Sequence, residues 1–147
     1  MKEILININK KEILDEVSLN TAYAGAKTQG EAGIFERVAA IEADEALLSK
    51  FWLEMTGQLA ETLQGFIKSA EHSQTALKLN LETSGAYDES LTPSLVEDVK
   101  AALAAGITQR WFTYTLPSRA EEFCRNSELL LKRIISKLCH RKKPVRQ

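Results

Sequence analysis

The sequence predicts a mainly α-helical single domain with a minor β element: about four to five helices around a long central amphipathic helix, plus a short two-stranded β element. Three observations predict it. An apolar stripe at spacings of one, three and four runs from Leu47 to Ile67. Two short stretches, around Ile4–Ile8 and Leu77–Leu81, alternate apolar and polar residues. Two further helical patterns follow Pro93 and Pro117. A chain of 147 residues fits one domain, 1–147, and its 44% hydrophobic and 27% charged residues are those of an ordinary globular protein. Seven glycines and three prolines leave no room for long low-complexity linkers.

The first element, Glu3 to Ile8, places Ile4, Ile6 and Ile8 at period two and reads as a strand or an extended arm. Asn9 reads as a helix N-cap, with Glu12 completing a capping-box arrangement and Ile8 stapling onto Ile13. The helix that follows spans about Lys10 to Ala24, with Ile13, Leu14 and Val17 inward. Gly25, Gly30 and Gly33 surround a polar connection, and Ile34, Phe35, Val38 and Ile41 mark a short lead-in helix.

From Asp44 to about Ala70, the positions Leu47, Leu48, Phe51, Trp52, Met55, Leu59, Leu63, Phe66 and Ile67 form one continuous stripe. A helix of that length spans on the order of 40 Å, more than a compact globule of this size accommodates, so an elongated shape, a kink or an end packed on another subunit is expected. Thr75 to Thr83 reads as a strand that pairs with the N-terminal segment and leaves edges open to another protein. Thr92-Pro93 starts the next helix, which carries Val96, Val99, Leu103, Ile107 and Trp111, with Gly106 marking a close approach. Trp111 to Leu116 is strand-like in composition and is expected to leave the helix. Ser118 and Glu121 form a capping box for the last helix, which carries Phe123, Leu130, Ile134 and Leu138 and ends near His140.

Charge is unevenly distributed. Residues 132–147 carry seven basic side chains and no acid, against twelve basic and twenty acidic side chains in residues 1–131. An acidic body and a basic tail, residues 140–147, point to an anionic partner or to the acidic face of a neighbouring copy; the plainer reading is a solvated tail. Arg133, Lys137, Arg141, Lys142, Lys143 and Arg146 are the candidate contacts for a partner or an anion. Trp52, Trp111 and Phe112 are core residues in the plain reading and candidate subunit contacts in the functional one.

No catalytic, cofactor-binding or metal-binding constellation is legible. The glycines do not form a phosphate-cradling loop, and no Cys-x-x-Cys, His-Glu-x-x-His or Glu-x-x-His occurs. His72 and His140 read as surface histidines. Cys139 and His140 are helical neighbours about 100° apart and do not face each other. Cys124 and Cys139, about 22 Å apart along one helix, are too distant to bridge and fit a reducing compartment. Glu54, Glu61, Glu97, Asp98, Glu121 and Glu122 read as solvated polar faces. The N-terminus does not read as a signal peptide, and no run approaches the roughly 18 apolar residues of a membrane span. A cytoplasmic, non-enzymatic protein with no small-molecule substrate is expected.

The opening Lys2 to Glu12, the block from Asp44 to Phe51-Trp52, the Leu77-x-Leu79-x-Leu81 strand, the Trp111-Phe112 helix end and the closing Arg141-Lys142-Lys143-Pro144 together resemble small phage and prophage structural proteins of gut bacteria. The likeness covers most of the chain and lies in order and pattern rather than in a diagnostic motif. The acidic start followed by a long amphipathic helix also looks like helical head–tail connector proteins. The resemblance implies a phage structural or assembly protein, in the virion or the host cytoplasm, that associates with itself or with other phage structural proteins. It supplies no catalytic residues. The alternative is a small regulatory or nucleic-acid-associated protein that uses its basic tail; no base-reading module is present, so sequence-specific binding is not expected.

Overall fold

The computed structural model describes residues 1–27 and 44–143. Its elements run β1 (Lys2–Asn9), α1 (Lys10–Lys27), α2 (Glu45–Thr62), a 3-10 turn (Gln64–Phe66), β2 (Ile67–His72), β3 (Ala76–Thr83), a second 3-10 turn (Glu89–Leu91), α3 (Thr92–Thr115) and α4 (Pro117–Cys139). The described chain is mainly α with a minor β element, as its sequence predicts. The lead-in helix expected at Ile34, Phe35, Val38 and Ile41, the glycines Gly30 and Gly33, and Pro144 and Arg146 lie outside the described residues.

β1 and β3 pair antiparallel as expected, with Ile4 opposite Leu81, Ile6 opposite Leu79 and Ile8 opposite Leu77. All six side chains are buried on one face, against the helices. The period-two pattern thus becomes one apolar sheet surface made of cross-strand pairs. Asn9 caps α1 as read, its Oδ1 accepting from the Lys11 amide at 2.8 Å. Glu12 does not close the capping box; its carboxylate instead accepts from Lys100 Nζ at 3.0 Å. Ile8 and Ile13 are both fully enclosed, as a staple requires.

The sheet has three strands rather than two, in the order β1-β3-β2. The extra strand is cut from the segment expected to end the long helix. α2 stops at Thr62, and Gln64–Phe66 forms a 3-10 turn. The stripe is buried from Leu48 to Leu63, with Leu47 exposed; Phe66 and Ile67 are only half-buried, and residues 68–75 are exposed. A polar run gives a helix no face to bury, whereas as a strand it pairs with the otherwise open edge of β3. Ser73 closes the β2–β3 hairpin: its Oγ accepts from the amides of Thr75 at 3.2 Å and Ala76 at 3.0 Å. At 18 residues α2 is about 27 Å long, so the elongated shape inferred from a 40 Å helix has no basis.

The central element is α3, not α2. α3 buries twelve residues against six for α2, including the unbroken run Ala102 to Thr108. It packs against α1, α2 and α4. A helix covered on several sides shows no single apolar stripe, and small residues let its neighbours approach. Gly106 is the closest approach: a Cβ there would lie 2.2 Å from Met55 Sδ on α2. Arg110 spans the same crossing, donating to the Gly106 carbonyl at 3.0 Å, to Met55 Sδ at 3.3 Å and to Gln58 at 2.9 Å.

Two further expectations are corrected at the end of α3. Trp111 to Thr115 stays helical, because Trp111 and Phe112 both face inward and the hydroxyls of Thr113 and Thr115 bond back to the carbonyls of Gln109 and Trp111 at 2.9 and 3.0 Å. Pro117 is the first residue of α4 and Leu116 precedes it, so Ser118 lies inside the helix and caps nothing. Thr92 likewise is the first helical residue rather than the cap, and its hydroxyl pairs with Tyr87 OH at 3.1 Å.

Gly106→Ala is expected to destabilise the fold despite a gain of about 1 kcal/mol in helix propensity, because overpacking costs about 1–3 kcal/mol. Met55→Ala costs about 2–5 kcal/mol alone. Urea denaturation of the double variant should reveal a smaller loss than the sum, since truncating Met55 vacates the space that a methyl group added to Gly106 needs. Ser118→Ala, in contrast, is expected to change stability by less than about 0.5 kcal/mol in the same assay.

Candidate interaction surface

The basic residues singled out in the sequence divide into two groups. Lys137, in the last turn of α4, points back to α3, where its ammonium pairs with Asp98 and donates to Ser94 Oγ at 2.5 Å. Arg133 Nη1 lies 3.7 Å from the other oxygen of the same carboxylate. Asp98 is only 8% exposed. It is not part of a solvated face: it follows Leu95 by three residues and precedes Ala102 by four, which puts it on the buried side of α3 beneath α4. Lys137 is therefore a structural cation joining the two helices, not a free contact. The Asp98 position three residues after Leu95 was the available signal.

The second group is presented outward. α4 ends at Cys139, and His140 leaves the helix in extended conformation. Residues 140–142 do not trail free. The His140 carbonyl accepts from the Asp88 amide at 3.4 Å, Arg141 bridges antiparallel to Tyr87, and the Lys142 amide donates to the Ala86 carbonyl at 2.7 Å. Tyr87 itself is 1% exposed, so the segment is fastened to a residue rooted in the core. Asp88 is held below the usual carboxylate range by its hydrogen bonds from Ser90, assisted by the charges of His140 and Lys142. Lys132, Arg141, Lys142 and Lys143 are exposed, and Arg133 is exposed too although it reaches Asp98. Arg146 lies outside the described residues.

Trp52 and Phe112 are fully buried and Trp111 nearly so, which removes them as subunit contacts. Trp52 Nε1 donates to the Ser73 carbonyl at 3.0 Å and ties α2 to the β2–β3 hairpin, and Phe112 packs on Phe123 with ring centroids 5.3 Å apart. The surface of these rings is committed to the core.

The acidic body has its own relief. A groove of about 370 Å³ between α1, α3 and α4 is floored by Ala101, Ala104 and Ala105 and rimmed by Glu12, Glu16 and Glu97. Lys100 bridges the rim, 3.0 Å from Glu12 and 3.7 Å from Glu97, and these carboxylates push its ammonium pKa up. A second concavity of about 570 Å³, beside the starts of α1 and α2, mixes Lys10, Lys11, Asp15 and Glu45 without segregating charge.

Cys124 and Cys139 are free thiols on α4. His72 and His140 are exposed. Among the described residues no group of three His, Cys, Asp or Glu side chains is placed to hold a metal ion, and no helix is long and apolar enough to cross a membrane.

Asp98→Asn leaves Lys137 and Arg133 facing a neutral amide. It is expected to cost about 2 kcal/mol, the scale of hydrogen bonds to charged groups, read as a lowered urea midpoint at neutral pH. Lys132→Gln, which has no such partner on α3, should leave that midpoint within about 0.5 kcal/mol of the native chain. Comparison with known proteins adds no kinship to these observations: no protein-family model, curated protein or solved structure matches the chain.

Proposed function

We propose that this chain is a non-enzymatic structural or assembly protein, of the phage and head–tail connector kind that its sequence resembles, and that it works in the virion or the host cytoplasm by packing against other subunits. The observation that carries the reading is the anchored basic end. Exposed cations on a flexible tail are ordinary solvation, but here the segment carrying Arg141 and Lys142 is bonded to residues 86–88 beside the root of α3. Holding long cationic side chains on a fixed backbone lowers the entropy lost when they meet an acidic surface. The body of the chain, with twelve basic and twenty acidic residues over 1–131, is such a surface. A base-reading role has less support, because the exposed cations flank a helix end and no element carries them into a groove.

The test replaces charge and keeps the backbone. Truncation after Leu138 would also remove the bridge to Tyr87, so the variant of choice is Arg141→Gln/Lys142→Gln/Lys143→Gln. Sedimentation of the native chain at about 0.05 M salt should reveal a salt-sensitive association, beyond whatever species persists at about 1 M salt, where screening shortens the Debye length to about 3 Å. The triple variant should keep its circular dichroism and lose that association. Tight duplex DNA binding by the native chain, with affinity falling steeply as salt rises, and no salt-sensitive self-association would replace this reading with the nucleic-acid one.

A further inference from the structure

The two edges of the sheet are built differently. β2 is a guarded edge: it is six residues long, its register slips between Ile67 and Ser69, and Lys68 stands at the slip. Bulges and edge lysines are the devices that stop a strand from recruiting another. Lys68 also reaches across the open face to Glu3 at 2.5 Å and Glu82 at 3.8 Å, two carboxylates that the register places opposite each other. Its hydrogen bond and its charge hold Glu3 below the usual carboxylate range.

β1, at the other edge, lacks these guards along its middle. It is eight residues long with an unbroken register, and its middle reads Ile4-Leu5-Ile6-Asn7-Ile8 with no charge, proline or bulge. The Lys10 amide bonds to the Thr75 carbonyl at 2.9 Å, which fixes the alternation of the ladder. Lys2, Ile4, Ile6 and Ile8 turn their backbone groups to β3; Glu3, Leu5 and Asn7 turn theirs outward. Among the described residues no hydrogen bond reaches those outward groups. Leu5 is 76% exposed on the open face of the sheet. A long, regular, apolar strand edge is an aggregation site unless something specific covers it.

We propose that the outer edge of β1 pairs antiparallel with β1 of a second copy, about a two-fold axis at Leu5, so that two sheets join into one. The side chains select both the partner and the register. With Leu5 opposite Leu5 of the second copy, Glu3 faces Asn7 and Ile4 faces Ile6, each pair occurring twice by symmetry. About six main-chain hydrogen bonds form, and the exposed leucines cover each other. Charge agrees: Asn7 lies opposite Lys78 in the register, so the cross-strand row that contains Glu82 and Glu3 of one copy continues into Asn7 and Lys78 of the other. Moving the axis to Ile6 places Leu5 against Asn7 and Lys2 against Lys10, a like-charge pair that antiparallel neighbours avoid. This pairing shares with the proposed function only the idea of assembly through subunits, and it uses none of the basic residues of the C-terminal end.

The test uses the full chain. Sedimentation over a concentration series at about 1 M salt, where the C-terminal contact is screened, should give twice the chain mass. Leu5→Lys adds an edge lysine at an exposed position; it should raise the dissociation constant at least tenfold with circular dichroism unchanged. The register is read by cross-linking in a Cys124→Ser/Cys139→Ser background. Leu5→Cys brings two Cα atoms to about 5.5 Å, within disulfide range, and should oxidise to a covalent dimer. Asn7→Cys leaves the thiols about 13 Å apart along the strands and should not. A single-chain mass throughout, a dimer undisturbed by Leu5→Lys, or equal cross-linking at both positions overturns the proposal. The Arg141→Gln/Lys142→Gln/Lys143→Gln variant separates the two ideas: it must keep this high-salt dimer, and its loss of low-salt association bears on the C-terminal surface alone.

Discussion

The close approach of α2 to α3 at Gly106 is the constraint on which the rest of the molecule depends. α3 carries Ala102, Ala104, Ala105 and Gly106 in its middle, interrupted by Leu103, and α1, α2 and α4 all pack on it. Met55 fills the space a Cβ would take, and the Arg110 guanidinium closes the crossing by bonding to the Gly106 carbonyl and to α2 at once. The large side chains are distributed around this thin centre. Trp52, Leu59 and Leu63 come from α2 and the residue after it, Ile134 and Leu138 from α4, and Ile6, Ile8, Leu77 and Leu79 from the sheet. A methyl group added at Gly106 meets the Met55 side chain, which is fully buried and can yield only by displacing its own neighbours.

Electrostatics finishes what packing begins. Asp98 lies on the buried side of α3, where an unpaired carboxylate would cost several kcal/mol, and Lys137 and Arg133 from α4 neutralise it. That pairing joins the last turns of α4 to α3, close to where the chain emerges after Cys139. The bridge between Arg141 and Tyr87 follows from that exit point.

The sheet divides its two faces and its two edges in a similar way. Its inner face is committed to the core by three aliphatic cross-strand pairs, and its open face is mostly polar, with Leu5 the large apolar side chain on it. The β2 edge is made unattractive by a register slip and a lysine, while β1 is left straight and uncharged at its centre. The two edges of this small sheet thus differ in the devices by which a strand discourages further pairing.

What the sequence by itself determined is whatever is buried on one side only. The alternation of Ile4, Ile6 and Ile8 and of Leu77, Leu79 and Leu81 was legible because one face of the sheet is covered and the other is open, and the last helix was legible because α4 buries a single stripe. The Asn9 cap and the Gly106 contact were legible because they depend on one residue and its backbone. Only the tertiary structure decided the rest. α3 is covered on several sides and so carries no one-sided pattern; its centrality was hidden behind small residues. The stripe of α2 gave no warning of its end, because Phe66 and Ile67 keep helical spacing beyond the turn at Gln64–Phe66 and are only half-buried where they land. β2 is exposed along most of its length and exists because β3 offers it unpaired backbone groups, a partner defined in space rather than in sequence. The basic end was visible as composition, but its division into an inward Lys137 and an anchored outward segment depends on Asp98 and Tyr87, which chain order places 39 and 54 residues away.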